Sequence, residues 1–290
     1  MAIPNTRRKA TSERNFGMSE ITYKQVKIFI PTKNRLDNES TYNILKDIGL
    51  NPILVIEPQE QEQAELLKYN YITLDENNQG ITYARNFILN YAKKNKYEFI
   101  CMLDDDIKQF GYIVKNDKAN NKLKQSRKKD NMAFIDALNK FIEYKSCGTM
   151  QYTQFAWNQV KPIVFNRGLE VVWFLYMPQL ENVIIEYDTI EDRDFSLDII
   201  INYDVKTFRL NHHYFLVPSI GTNKGGIESS TRALKQKYWS YKMLNKWGEN
   251  IISIIRKTNN YYNIKINWRY VDKLINKKRY DKSRIQLNLF

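Results

Sequence analysis

Three consecutive aspartates, Asp104, Asp105 and Asp106, follow directly on an apolar run in the stretch CMLDDDIKQF. Adjacent carboxylates repel one another, and a cluster of them at the end of a strand is tolerable when a divalent cation neutralises it. Side chains alternate along an extended segment, so Asp104 and Asp106 point the same way and present oxygen ligands to one ion. Hard oxygen ligands favour Mg2+ or Mn2+. The competing structural role is helix capping, since DDDIKQF can use an aspartate as N-cap.

A second acidic group, Glu191, Asp192 and Asp194 in IIEYDTIEDRDFSLDIII, precedes an apolar helix or strand. A carboxylate there can act as general base, taking a proton from an acceptor hydroxyl while the cation holds a leaving phosphate. Capping competes again, with Asp192 or Asp194 meeting the free amides at the start of FSLDIII.

The elements that must position these groups are legible in the hydrophobic pattern. In QVKIFIPTKNR, Val26, Ile28 and Ile30 alternate and Pro31 ends the run, which predicts a strand entering a loop. A helix is expected over 38–48, and NPILVIEPQE supplies the continuous apolar run of a buried parallel strand. After the short run YITL a helix opens at Gly80, with Ile81, Ala84, Ile88 and Tyr91 on one stripe and lysines at its end, where they suit the helix dipole. YEFICML is the next strand, and the three aspartates lie at its carboxyl end. Alternating strands and helices imply an α/β sheet, which places ligands just beyond the carboxyl ends of its strands.

Further along, the polar residues 115–130 read as a mobile loop or a solvated hairpin and 131–145 as a helix. PIVFN, EVVWFLYM, VIIEY and TFRLNHHYFLV read as strands. Residues 230–257 are expected to form one long amphipathic helix with Leu234, Tyr238, Tyr241, Leu244, Trp247 and Ile251 on its apolar face. A basic tail punctuated by aromatics follows.

A chain of 290 residues with 43% hydrophobic content is long enough for one large domain or two small ones. No apolar run reaches the ~18 residues of a membrane span, and the basic start MAIPNTRRKATSERNFG lacks the apolar core of a secretory signal, so a cytoplasmic protein is expected. Cys101 and Cys147 lack metal-ligand spacing and read as reduced packing residues. The net charge of +13 is concentrated at the ends. Residues 232–290 hold 15 Lys/Arg against 3 Asp/Glu and residues 1–24 hold 5 against 2, while the middle holds 25 against 27. Such basic ends suit a polyanion, because Lys and Arg contacts to phosphates release counterions; a merely solvated surface is the bland alternative.

Taken in order, IPTKNR at the first strand end, IEP at the second, the GITYARN helix, LDDDI and the later EDRDF resemble the GT-A glycosyltransferases. More narrowly, GITYARNFIL, CMLDDDIKQF, IEDRDFSLDII and GTNKGGI look like the TET-associated glycosyltransferase group of phages, relatives of the base J glucosyltransferase, over about residues 26–228. The resemblance implies a GT-A, Rossmann-like α/β fold: a mixed sheet flanked by helices over 25–228, after a basic arm at 1–24 and before a basic helical extension at 229–290. It implies a nucleotide-sugar donor, UDP-glucose foremost, Mn2+ or Mg2+ as cofactor, and a hydroxymethylpyrimidine in double-stranded DNA as acceptor, with no membrane partner.

Residue by residue, the resemblance implies metal contact by Asp104 and Asp106, with Asp105 near the donor ribose or sugar. Thr32 and Arg35 would border the nucleotide, Glu57 would contact the uracil or ribose unless it is a strand-edge charge, Arg85 would reach the diphosphate unless it is an ordinary helix-surface ion pair, and Pro31 and Asn86 count among the donor-binding residues. Asp192 is the candidate base, with Glu191 beside the sugar hydroxyls. A late histidine often completes the metal shell in such enzymes, and of His212 and His213 only one can face the site, with His213 the preferred ligand and plain packing in an aromatic-rich strand the alternative. Gly225 and Gly226, preceded by Lys224, would let backbone amides approach the diphosphate or acceptor, unless they form a simple turn. Trp157, Trp173 and Phe174 are candidates for the acceptor pocket, with core packing as the alternative. Three rivals stay open: a GT-A enzyme acting on a glycan, lipid or protein, a catalytically silent DNA-binding module, and a nucleotidyltransferase.

Overall fold

The apolar runs become the centre of one sheet. The computed structural model describes residues 23–116, 124–153, 161–218, 229–256 and 262–287. Strands β1 (Lys27–Pro31), β2 (Ile53–Ile56), β3 (Tyr71–Thr73) and β4 (Phe99–Leu103) lie in the order β3-β2-β1-β4, all parallel. The parallel pairing follows from the helices between them, α1 (Ser40–Asp47), α2 (Gln61–Leu66) and α3 (Ile81–Lys94), since a parallel connection needs a crossover. Gly80 opens α3 at φ +86°, in the left-handed region where the absence of Cβ removes the steric cost.

Beyond β4 the sheet becomes mixed. It continues through β9 (Val172–Tyr176), β7 (Gly148–Tyr152), β10 (Phe208–Leu216), β5 (Gln109–Asn116) and β6 (Lys124–Lys129), while β8 (Ile163–Phe165) pairs with β10. β4 pairs with β9 antiparallel, so the direction of the sheet reverses beside the three aspartates. The stretch 115–130 takes the hairpin alternative as β5 and β6; residues 117–123 lie outside the described residues.

Each central strand feeds two cores, one on each face. Ile28, Ile30, Phe99, Cys101 and Leu103 face α1, α2 and α4 (Ala133–Tyr144), whereas Phe29, Ile100 and Met102 face α3 and α5 (Glu191–Ile201). Alternation by one residue thus sorts side chains between two buried faces, which is why the runs look continuously apolar. Cys101 and Cys147 are free and buried, as packing residues are. No helix among the described residues is long and apolar enough to cross a membrane.

Two expected elements differ. VIIEY is not a strand: its backbone is held by side chains of α3, with Asn86 bonding both the N–H and the C=O of Ile185 (2.9 and 2.7 Å) and Thr82 bonding the carbonyl of Tyr187. The helix expected over 230–257 stops at Trp247. This helix, α6 (Ser229–Trp247), is broken by Gly248 at φ +79°, and the chain returns as an antiparallel hairpin, β11 (Ile252–Arg256) and β12 (Tyr262–Ile266), before α7 (Trp268–Leu287). The C-terminal extension is therefore not wholly helical.

The buried stripe of α6 also differs in part. Gln236, Ser240 and Met243 face inward with Trp247 half-buried, while Leu234, Tyr238 and Tyr241 are exposed. Met243 joins Ile251, Ile252, Ile264, Val271 and Ile275 in the same core as Trp173 and Phe195. The indole of Trp247 donates to Asp194 Oδ1 (2.7 Å), and Lys246 reaches Asp194 Oδ2 (3.0 Å). The extension is thereby fastened to the helix that carries Glu191 and Asp192. Residues 1–22, and with them nearly all of the basic N-terminal arm, lie outside the described residues.

Candidate active site

β4 ends at Leu103 and the chain turns at once, so Asp104, Asp105 and Asp106 occupy a turn, not an extended segment and not a helix N-terminus. The alternation expected of D-x-D does not apply there, and the three carboxylates take different partners. Asp105 is the buried one: it accepts the Thr32 hydroxyl (2.9 Å) and pairs with Arg35. Arg35 also lies 3.8 Å from Asp106. Asp104 pairs with Arg85 at 2.9 Å. Its backbone is pinned on both sides, by the Val171 carbonyl (3.3 Å) and the Thr41 hydroxyl (2.7 Å).

Arg85 is the bracket of the site. Its guanidinium lies 4.2 Å from the Trp173 ring and is buried, with one arm on Asp104 and the other on Glu191 at 2.5 Å. It ties the end of β4 to the start of α5, with both terminal nitrogens occupied. Trp173 and Phe174 are wholly buried, stacked on Phe195 and Phe141, and belong to the core instead of an acceptor pocket. Trp157 lies outside the described residues.

The start of α5 is strained. Ile190, the residue before it, has φ +61°, a conformation costing a β-branched residue about 1–2 kcal/mol. No N-cap side chain closes the helix; of the two capping candidates Asp194 is turned to Trp247 and Lys246, whereas Asp192 does meet one first-turn amide, that of Arg193. The three acids of the first turn have separate roles. Glu191 is committed to Arg85 and Asp194 to Trp247 and Lys246, whereas among the described residues the carboxylate of Asp192 accepts only the Arg193 amide, at 2.9 Å. Burial raises the pKa of both Asp104 and Glu191, Arg85 opposes the rise, and Asp192 adds to it in each case. Asp192 therefore stands within electrostatic reach of the aspartate turn.

The expected donor residues sort differently. Pro31 closes β1 opposite Val55, and Thr32 and Arg35 do meet the aspartate turn. Glu57 is buried and saturated by Lys33 (2.9 Å), the Asn78 amide (2.8 Å) and Gln59 (2.7 Å), so it holds the loop before α3 closed. Asn86 spends its amide on Ile185 and is a fold residue. His213 is not brought to the aspartates: its Nε2 lies 2.6 Å from Asp136 Oδ2 and its ring packs on Tyr112, because β10 sits three strands away from β4. Gly225 and Gly226, with Lys224, lie outside the described residues.

Two carboxylates escaped the sequence reading. Glu39 is fully buried behind Thr32, 2.5 Å from its hydroxyl, and burial pushes its pKa up to about 8. Nothing in the local pattern marks it, since its burial is created by the fold. Glu170 is the other. Its neighbours are pinned to both halves of the site: Val171 bonds Asp104, and the Leu169 amide donates to Ser196 Oγ (2.8 Å), which donates to the Asp192 carbonyl (2.5 Å). Burial pushes its pKa up to about 7, Arg209 opposing and Asp192 adding to the rise. An acid immediately before an apolar strand was the available signal.

Glu39 gives a pH test. The folded protein keeps it protonated below about pH 8, while in the unfolded chain it ionises near 4.5, so its contribution to stability is complete below 4.5 and is lost as pH rises toward 8. Glu39→Gln is neutral throughout. Between pH 6 and pH 8 the wild type should lose about 2–3 kcal/mol relative to this variant, read from urea unfolding. A difference that does not change with pH would mean Glu39 is not held neutral.

A carboxylate turn at the carboxyl edge of parallel strands, facing an acid on the first turn of a helix, is the ground plan of a group-transfer enzyme. The family model of the TET-associated glycosyltransferases matches residues 26–226. The chain belongs to that family and is a sugar-transferring enzyme. No curated protein matches it in sequence. Among solved structures it is similar to A197 from STIV, with 15% identity over 67% of this chain and 85% of that one. It is also similar to a mannose-1-phosphate geranyltransferase from Thermus thermophilus (9%, over 67% and 75%), and to a CMP:2-keto-3-deoxy-manno-octonic acid synthetase complexed with CTP (10%, over 75% and 98%). The TM-score is 0.38 in all three cases, a remote likeness.

Proposed function

We propose that this glycosyltransferase moves a sugar, glucose from UDP-glucose foremost, onto the hydroxyl of a 5-hydroxymethylpyrimidine in DNA, with Asp192 as general base. The observation that carries the reading is the division of labour on the first turn of α5. Glu191 and Asp194 are held by cationic and indole partners, and Asp192 is left to take a proton. A base on the face opposite the leaving diphosphate gives in-line displacement and inversion at the anomeric carbon.

The residues present fit a divalent cation. Asp104, Asp105, Asp106, Glu191 and Asp192 bring five carboxylates against the guanidinium groups of Arg35 and Arg85, an oxygen-only donor set with surplus negative charge. Among the described residues no group of three or more His, Cys, Asp or Glu is arranged to hold a metal, so the remaining ligands of the proposed ion would have to come from substrate phosphates and water. Asp104 and Asp106 would hold it. When bound, the ion supplies charge stabilisation for the leaving diphosphate. Arg35 orients Asp105, and Arg85 keeps the aspartate turn and α5 in register.

The acceptor reading is supported by the charge map, a near-neutral body with a C-terminal region of 15 Lys/Arg against 3 Asp/Glu. The experiment is UDP release from UDP-glucose with Mn2+, comparing duplexes containing 5-hydroxymethylcytosine or 5-hydroxymethyluracil with unmodified DNA, and wild type with Asp104→Ala. Release that needs the hydroxymethyl group and the aspartate supports the reading. Donor hydrolysis indifferent to DNA moves the acceptor to a glycan, lipid or protein.

A further inference from the structure

Among the described residues, the exposed face of α6 carries large side chains that the core does not cover. Leu234, Tyr238, Tyr241 and Asn245 recur at helical spacing opposite the buried stripe, and Leu234, Tyr238 and Tyr241 are 72%, 54% and 47% exposed. With Lys237 and Lys242 they form one open, solvent-facing surface. The lysines sit among the rings: Lys242 lies 5.6 Å from the centre of Tyr238, and Lys237 lies 5.5 Å from that of Tyr262 on the adjoining hairpin. Tyr262 in turn lies 6.3 Å from Tyr241. α6 carries five Lys or Arg and no Asp or Glu.

We infer that this face is a stacking platform for single-stranded nucleic acid, an inference that rests on the DNA-acceptor reading. Rings set among lysines match a polymer of flat bases and phosphates, with stacking on the tyrosines and charge on the backbone. A duplex keeps its base faces stacked on one another and cannot offer them to Tyr238 and Tyr241. A second copy of the same face would bring like charges together, which disfavours self-association through it.

Lys235 lies 3.9 Å from Asp188, and Trp239 packs on Tyr187 with ring centres 4.8 Å apart, so the N-terminal half of α6 runs beside the segment that delivers Glu191 and Asp192.

The test is fluorescence polarisation of the full chain with a labelled oligonucleotide, single-stranded and as a duplex of the same sequence, across a salt series. Wild type should bind the single strand at least tenfold tighter. Tyr238→Ala with Tyr241→Ala should weaken it by about 10- to 100-fold, while the paired Phe substitutions should retain binding because the ring is what stacks. The positions are exposed, so the fold tolerates the change. Equal affinity for duplex, or Ala variants that bind like wild type, would overturn the platform. So would a dimer that the Ala variants convert to monomer. UDP release triggered by a hydroxymethylated duplex, without a single-strand preference, sinks the platform and leaves the acceptor reading standing. Single-strand binding lost in the Ala variants, with no DNA-dependent UDP release, does the reverse.

Discussion

Asp192→Asn should lower kcat for sugar transfer by about 10²–10⁴-fold, the usual loss of a positioned general base, with donor affinity little changed. The substitution is nearly isosteric. The amide oxygen can still accept the Arg193 N–H, and α5 has no side-chain cap to lose. What disappears is the capacity to take a proton. Steady-state kinetics with a competent acceptor, paired with calorimetric UDP binding, separates the two effects. A variant with wild-type kcat would shift the role to Glu170, the other acid placed between Asp104 and the first turn of α5.

Arg85→Ala should destabilise the protein by about 3–5 kcal/mol, the cost of breaking a buried ion pair and leaving its partners uncompensated. The guanidinium is 5% exposed and spans Asp104 and Glu191, and Trp173 loses the group packed on its face. Urea unfolding at pH 7 measures the loss. Arg85→Lys should recover only part of it, since one ammonium cannot reproduce a fork that meets two carboxylates. Mn2+ with UDP should raise the melting temperature of the Ala variant more than that of wild type, because an ion held at the proposed site would neutralise the same carboxylates. Equal shifts would argue against an ion at this turn.

How much of this was legible depends on whether the information is local. β1, β2 and β4 announce themselves because they are buried on both faces and bounded by polar turns. Arg35 and Arg85 join the aspartates in one site through the family resemblance alone, which does not pair Asp105 with Arg35 or Asp104 with Arg85. The choice among Glu191, Asp192 and Asp194 could not be made, since it depends on Arg85 and Trp247, distant in the chain. His213 misled because a histidine's partner is decided by strand order, and β10 is not beside β4. On α6 the expected stripe divides: Leu244, Trp247 and Ile251 at its C-terminal end pack against the core, whereas Leu234, Tyr238 and Tyr241 stay outside and Gln236 and Ser240 turn inward, where small or flexible side chains let the helix approach closely.

The fastening of α6 to Asp194 has a consequence for where the domain ends. The family match stops at residue 226, but the hydrophobic core does not: Met243, Ile252, Ile264, Val271 and Ile275 close over Phe195, Tyr187 and Trp173. Lys278 meets the carbonyl of Ile201 at the C-terminal end of α5 (3.0 Å), and Arg279 meets Asp204. The last sixty residues are thus a wall of the catalytic domain as well as an attachment to it. A chain cut at the end of the recognisable family region would open one whole side of that core to water and release the helix that presents Asp192. The segment beyond the family match and the helix that carries Asp192 thus share one hydrophobic core.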